Sequence, residues 1–224
     1  RKTTNSLGQA VMKRINSSAA ITSTSLFALS LLTSTTQSLD LDTIQSRITI
    51  FLDLLKKNPL FKEVWITVEN PKDITSKIES LGLVRPELLG GLKIYKPSKD
   101  EAALLSFYQN NISHFFLIYS LICLSLKYIE EISIQEIFRL AKQVYPFLQN
   151  DSHLPWDIKQ IDEIIDISLS VLIKSKLIYK TKTGLFRKLN GEGKNYEHYL
   201  ALSRLCESTI KRVYIVMSTL WSQE

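Results

Sequence analysis

No formally charged side chain falls between Ala102 and Leu126, and the core of that run, Phe115–Leu126, is strongly apolar. Such a run is either a helix buried in protein or a helix crossing a bilayer. A crossing helix needs roughly 20 apolar residues. Asn110, Asn111 and His114 interrupt this run at one end. The expectation is therefore a buried central helix within the long helical stretch Ser98–Ile129, with shallow insertion into a membrane surface as the second option. Ile15–Leu39 is also uncharged but rich in Ser and Thr. That hydroxyl load suits a buried helix better than a lipid-facing one.

The rest of the chain reads mostly as amphipathic helix. In Leu41–Lys57, Leu41, Ile44, Ile48, Leu52 and Leu55 recur at steps of three and four, with Asp40 as N-cap. From Pro59 to Pro97 the pattern breaks at Asn58-Pro59, Asn70-Pro71, Arg85-Pro86 and Gly90-Gly91. Trp65–Val68 and Leu92–Tyr95 alternate like short strands, and Asp73–Leu81 reads as a short helix. Ser133-Ile134-Gln135-Glu136 is a capping-box start, followed on one face by Ile137, Leu140, Ala141 and Val144, with Pro146 marking the end region. Asp157-Ile158-Lys159-Gln160 opens the next helix in the same way. Leu177–Lys180 and Leu185–Lys188 flank a four-residue turn as a β-hairpin. A last helix over about Tyr196–Trp221 carries Leu202, Leu205, Thr209, Val213, Val216 and Leu220 on one face. The expected fold is mainly α: a helical bundle with a small β-hairpin and a short mixed α/β connecting region. Its expected segments are residues 1–58, a helical segment continuing from an upstream domain; 59–97, the connecting region with short strands; and 98–224, a helical domain with the hairpin at about 177–188.

Composition excludes other classes. With 45% hydrophobic residues and only 7 Gly and 6 Pro in 224, the chain is neither disordered nor low-complexity. Cys123 and Cys206 sit in apolar helical segments and read as buried, reduced thiols. No secretory signal follows Arg1, which leaves the Asn-x-Ser/Thr sequons without weight. The sequence holds no G-x-S-x-G, no Walker glycine loop, no C-x-x-C and no H-E-x-x-H. His114, His153 and His198 lie in three distant segments, so neither a metal site nor a cofactor is expected.

Three features invite a functional reading. Tyr108, Asn110, Asn111 and His114 place polar groups at helical spacing at the entrance to the apolar run. They would form a hydrogen-bonded knot that fixes packing or supports a pocket. Tyr145-Pro146-Phe147-Leu148 with His153-Leu154-Pro155-Trp156-Asp157 forms an aromatic corner between two helices. Lys174, Lys176, Lys180, Lys182, Arg187, Lys188 and Lys194 face only Glu192, in a chain of net charge +6. That stretch would attract anionic headgroups or nucleic acid. Two helices followed by a basic hairpin have the outline of a winged helix. However, Asp157, Asp162, Glu163 and Asp166 on the second helix would repel DNA.

Leu105–His114 (LSFYQNNISH) is similar to the "LLTYYRNNIxH" stretch of the large bacterial membrane-associated glycerol-3-phosphate acyltransferases, with Gln109 where that pattern has Arg. Val144–Leu148 and His153–Asp157 resemble that family's "LYPxLKxELFLxWD". Leu7–Asn16 resembles its "LAxKVMxRIN", and Phe51–Leu55 its "YLDLM". These blocks follow family order from residue 7 to about 180. The resemblance implies a C-terminal, non-catalytic portion lying after an upstream acyltransferase domain, whose H-x-x-x-x-D block this chain lacks. It implies a whole enzyme that acylates the 1-hydroxyl of sn-glycerol 3-phosphate from coenzyme A or acyl-carrier-protein thioesters. The implied partners are that upstream domain and the anionic surface of the bacterial inner membrane on its cytoplasmic side, with no nucleic acid.

Overall fold

In the computed structural model, residues 2–36, 38–189 and 191–221 are described. The chain divides into two compact units, one formed by Ser18–Phe115 and the other by Arg1–Ser17 with Phe116–Glu224. Helix α1 (Lys2–Ser17) thus opens the chain but belongs with its second half. These units follow different boundaries from the three segments read along the sequence, because the long apolar run is not one helix. It breaks at His114–Phe116 into α5 (Lys99–Ser113) and α6 (Leu117–Tyr128). His114, Phe115 and Phe116 are all buried. On a continuous helix three successive rings would point about 100° apart, and the break lets each find its own packing.

The inserted unit is built around α2 (Ser23–Leu32), in which Leu26, Phe27, Ala28, Leu29 and Leu31 are fully buried. A helix apolar on all sides must be surrounded. Its neighbours are α5, α3 (Leu41–Lys57) and α4 (Pro71–Ser80). The hydroxyls are absorbed locally: Ser30 Oγ donates to the Leu26 carbonyl at 2.8 Å and Thr33 Oγ1 to the Leu29 carbonyl at 2.9 Å. Thr22 and Ser25 cap the other end in a capping box. Asp40 caps α3, accepting from the Thr43 amide at 2.8 Å. Arg47 is buried on α3 and donates to the Ser30 carbonyl at 3.0 Å, where the negative end of the α2 dipole receives a cation.

One antiparallel sheet lies in this unit, in the order β1 (Leu39–Asp40), β3 (Leu92–Tyr95), β2 (Pro86–Leu89). Trp65–Val68 does not form the expected strand. Its only pairing among the described residues is a parallel bridge of Ile66 with Ile21, and Val68 is 96% exposed. Tyr95 is fully buried, edge-on to Phe27 at 5.5 Å, and its hydroxyl donates to Glu79 on α4. Burial first, then that carboxylate, push the phenol well above its usual range.

The split unit is centred on α6, which is buried nearly all round. Around it lie α7 (Ile134–Ser152), α8 (Ile161–Lys174), α9 (Lys194–Ser203) and α10 (Glu207–Trp221). Ser133 and Glu136 form the expected capping box, as do Asp157 and Gln160 ahead of α8. Pro146 does not end α7. The helix runs on to Ser152, with Pro146 on the solvent side and Tyr145 and Leu148 buried beside it. The carbonyl that loses its amide partner there belongs to Lys142, an exposed residue. The single last helix is also divided, between α9 and α10. The side chains of Val213, Val216 and Leu220 lie outside what is described; Leu202 is buried, Leu205 half-buried.

The β-hairpin forms as expected from β5 (Ile178–Lys180) and β6 (Phe186–Lys188). A third strand, β4 (Glu131–Ile132), pairs with β6 to give the order β4-β6-β5. The order of helix, strand, two helices and hairpin, with β6 paired back to β4, keeps the outline read from the sequence. The acidic residues expected on α8 are present: Glu163 and Asp166 are exposed, and Asp162 pairs with Lys142 at 2.6 Å.

Candidate functional site

The residues nominated for a polar knot around His114 differ in burial. Asn110 and Asn111 lie on the last turn of α5 and are exposed, whereas His114 is buried with its ring 4.0 Å from that of Phe115. Tyr108 is half-buried, edge-on to Phe107 at 5.7 Å. Trp156 belongs to the other unit. Its carbonyl accepts from the Tyr145 hydroxyl at 2.8 Å and from Gln149 Nε2 at 2.5 Å. The corner between α7 and α8 is thus tied through backbone, and His153 turns it in the left-handed region at φ 48°.

The basic stretch separates into two groups. Lys174, Lys176, Lys180 and Lys182 are exposed, with Lys180 Nζ 5.5 Å from the centroid of the Phe186 ring. Arg187 and Lys188 turn inward. Arg187 pairs with Glu130 and with Glu131, the latter at 3.3 Å, and Lys188 Nζ donates to the Lys127 carbonyl at 3.4 Å. Lys174 and Lys176 thus lie exposed at the end of α8 and Lys180 and Lys182 on the hairpin, while Arg187 and Lys188 hold β6 to the end of α6 and the segment after it.

The titratable groups deepest in the fold are set against reactivity. Cys123 and Cys206 are free and buried. Burial pushes the Cys206 thiol up to about 11 and that of Cys123 higher still. Nucleophilic cysteines are shifted the other way. Burial likewise raises the Tyr145 and Tyr199 phenols. Among the described residues no group of three or more His, Cys, Asp or Glu side chains could hold a metal ion, and no helix is long and apolar enough to cross a membrane. A cavity of about 200 Å³ between α1 and the end of α7 is lined by Lys13, Pro146, Gln149, Asn150 and His153.

Residues 1–224 match the family model described as the glycerol-3-phosphate acyltransferase C-terminal region. The chain belongs to that family. It is similar to the glycerol-3-phosphate acyltransferase of Pseudomonas aeruginosa strain PAO1, 26% identical over 219 residues, which are 98% of this chain and 26% of the relative. The acyltransferases of Ectopseudomonas mendocina (25% identical over 218 residues, 97% of this chain and 26% of the relative) and Pseudomonas savastanoi pv. phaseolicola (24% over 219, 98% and 26%) are similar to the same extent. The chain spans about a quarter of the length of the curated relatives it matches.

Within this acyltransferase C-terminal region, the four resembling sequence blocks occupy α1, α3, the end of α5 and the α7–α8 corner. The family match extends past the hairpin, through α9 and α10, where sequence blocks gave little. Two features escaped sequence reading. Arg47 sits among apolar residues of α3 with nothing to distinguish it from a solvent-facing cation. The β2–β3 hairpin carried a usable signal, since Gly90-Gly91 between short apolar runs is a two-residue turn pattern.

Proposed function

We propose that this chain is the non-catalytic C-terminal part of a glycerol-3-phosphate 1-O-acyltransferase. The whole enzyme would transfer an acyl group from a coenzyme A or acyl-carrier-protein thioester to the 1-hydroxyl of sn-glycerol 3-phosphate. The products are lysophosphatidate and the free thiol, and the reaction opens phospholipid synthesis. The match of all 224 residues to a family described as a C-terminal region carries this reading. It is supported by the absence of an H-x-x-x-x-D pattern from the sequence and by buried thiols held in their protonated form. The role of this part is to pack against the upstream catalytic domain and to help seat the enzyme on the anionic cytoplasmic face of the inner membrane. Lys174, Lys176, Lys180 and Lys182 suit such a surface, each worth roughly 1 kcal/mol near anionic headgroups.

The test is direct. The purified 224-residue chain is incubated with acyl-coenzyme A and glycerol 3-phosphate, and lysophosphatidate is measured. None should form, while the full-length enzyme turns over. Product formed by the chain alone would overturn the assignment.

A further inference from the structure

The β2–β3 hairpin ends in an apolar tip that nothing in its unit covers. Leu88, Leu89 and Leu92 are 75%, 57% and 59% exposed. Between them Gly90 and Gly91 hold φ values of 57° and 83°, the left-handed pair that a two-residue hairpin turn requires. Leu89 lies opposite Leu92 and Leu88 opposite Lys93. The end of the hairpin therefore presents leucine on both faces, whereas a hairpin built only to pack would bury one. Its base does pack: Tyr95 is fully buried.

The surrounding charge identifies the occupant. Between Gly82 and Lys99 the cations Arg85, Lys93, Lys96 and Lys99 meet one carboxylate, Glu87. Arg85, Lys96 and Lys99 are exposed; Lys93 is also exposed, 3.0 Å from Glu79. Of the two carboxylates that follow, Asp100 and Glu101, the second accepts from the Ser98 amide at 2.7 Å. Three leucines on a convex turn are too little surface for a stable protein interface, which buries on the order of 1,200 Å² or more. A lipid surface sets no such threshold, and its phosphates complement the cations.

We propose that the β2–β3 tip is a membrane wedge. It seats Leu88, Leu89 and Leu92 below the headgroups of an anionic bilayer, with Arg85 and Lys96 at the phosphates. This rests on the membrane-surface reading above and assigns the insertion to this hairpin, not to β5–β6.

The experiment uses the full chain and vesicles of phosphatidylcholine with and without phosphatidylglycerol. Leu88→Ser with Leu89→Ser should weaken binding to the anionic vesicles by about tenfold or more. Lys180→Glu with Lys182→Glu should weaken it less. The reverse order would overturn the proposal. A second measurement stands apart from any loss of folding: Leu89→Cys labelled with an environment-sensitive dye, the native thiols being buried. Its emission should shift to the blue on adding anionic vesicles. Vesicle binding with unchanged emission would refute the wedge and leave membrane association standing, with the leucines turned to a protein partner. Failure of the unmodified chain to bind would refute both.

Discussion

The Ser120 hydroxyl on α6 accepts from the Cys206 amide at 3.0 Å and lies 3.1 Å from Cys206 Sγ, to which it donates. One side chain of the central helix thereby satisfies the buried backbone where α9 gives way to α10. Ser120→Ala leaves that amide without its acceptor. The loss should be about 1–3 kcal/mol, the usual cost of an unsatisfied buried donor. Urea unfolding followed by circular dichroism measures it. Stability unchanged within error would show that the contact does not hold the junction.

The two thiols link stability to alkaline pH. Their ordinary value is near 9, and burial raises both, Cys206 to about 11. Below about pH 9 both states carry protonated thiols and the native state keeps its full advantage. Above it the unfolded chain releases protons that the native chain retains, so stability falls as pH rises from 9 towards 11. Cys206→Ala should reduce that slope, whatever its effect on stability at neutral pH. In parallel, a thiol reagent at pH 8 should modify neither cysteine in the native chain and both after denaturation.

At acid pH, Glu79 acts in the opposite direction. The Tyr95 hydroxyl, then Lys93, favour its carboxylate and hold it below its ordinary 4.5. Its contribution is present above that value and is lost as pH falls through the lower folded value. Tyr95→Phe removes the principal cause. The variant should be less stable at pH 7 and should lose less than the parent on acidification from pH 5 to 3. Parallel stability curves for the two proteins would refute the link.

Lys176 closes α8 in the left-handed region at φ 56°, with the Leu177 amide donating back to the Leu172 carbonyl at 3.0 Å. Glycine takes that conformation without steric cost. Lys176→Gly should therefore stabilise the protein by about 1 kcal/mol, read as a rise in thermal midpoint. A fall would mean that the lysine side chain contributes more than its backbone costs.

What the sequence made legible was local. Ser133 with Glu136 and Asp157 with Gln160 marked helix starts, because a capping box is a contact between residues three apart. The hydroxyls of α2 could be assigned to a buried helix because Ser and Thr bond to their own preceding turn. What misled was also physical. Hydropathy does not register the direction of side chains, so the His114–Phe116 break was hidden inside a uniform apolar run. Pro146 reads as a stop, yet the buried Tyr145 and Leu148 carry the helix past it. Of the residues nominated for a site, Asn110 and Asn111 share helical spacing with His114, but spacing cannot tell that the helix ends one residue before the histidine.

The membership of α1 in the later unit has a consequence for biosynthesis. As the polypeptide leaves the ribosome, Ser18–Phe115 emerges as one compact unit before the segments that pack with α1. α1, made earlier, must wait for the end of α7, where Asn16 Nδ2 donates to the Ser152 carbonyl at 2.8 Å. Loosening the end of α7 should therefore unsettle the first helix before it disturbs Ser18–Phe115.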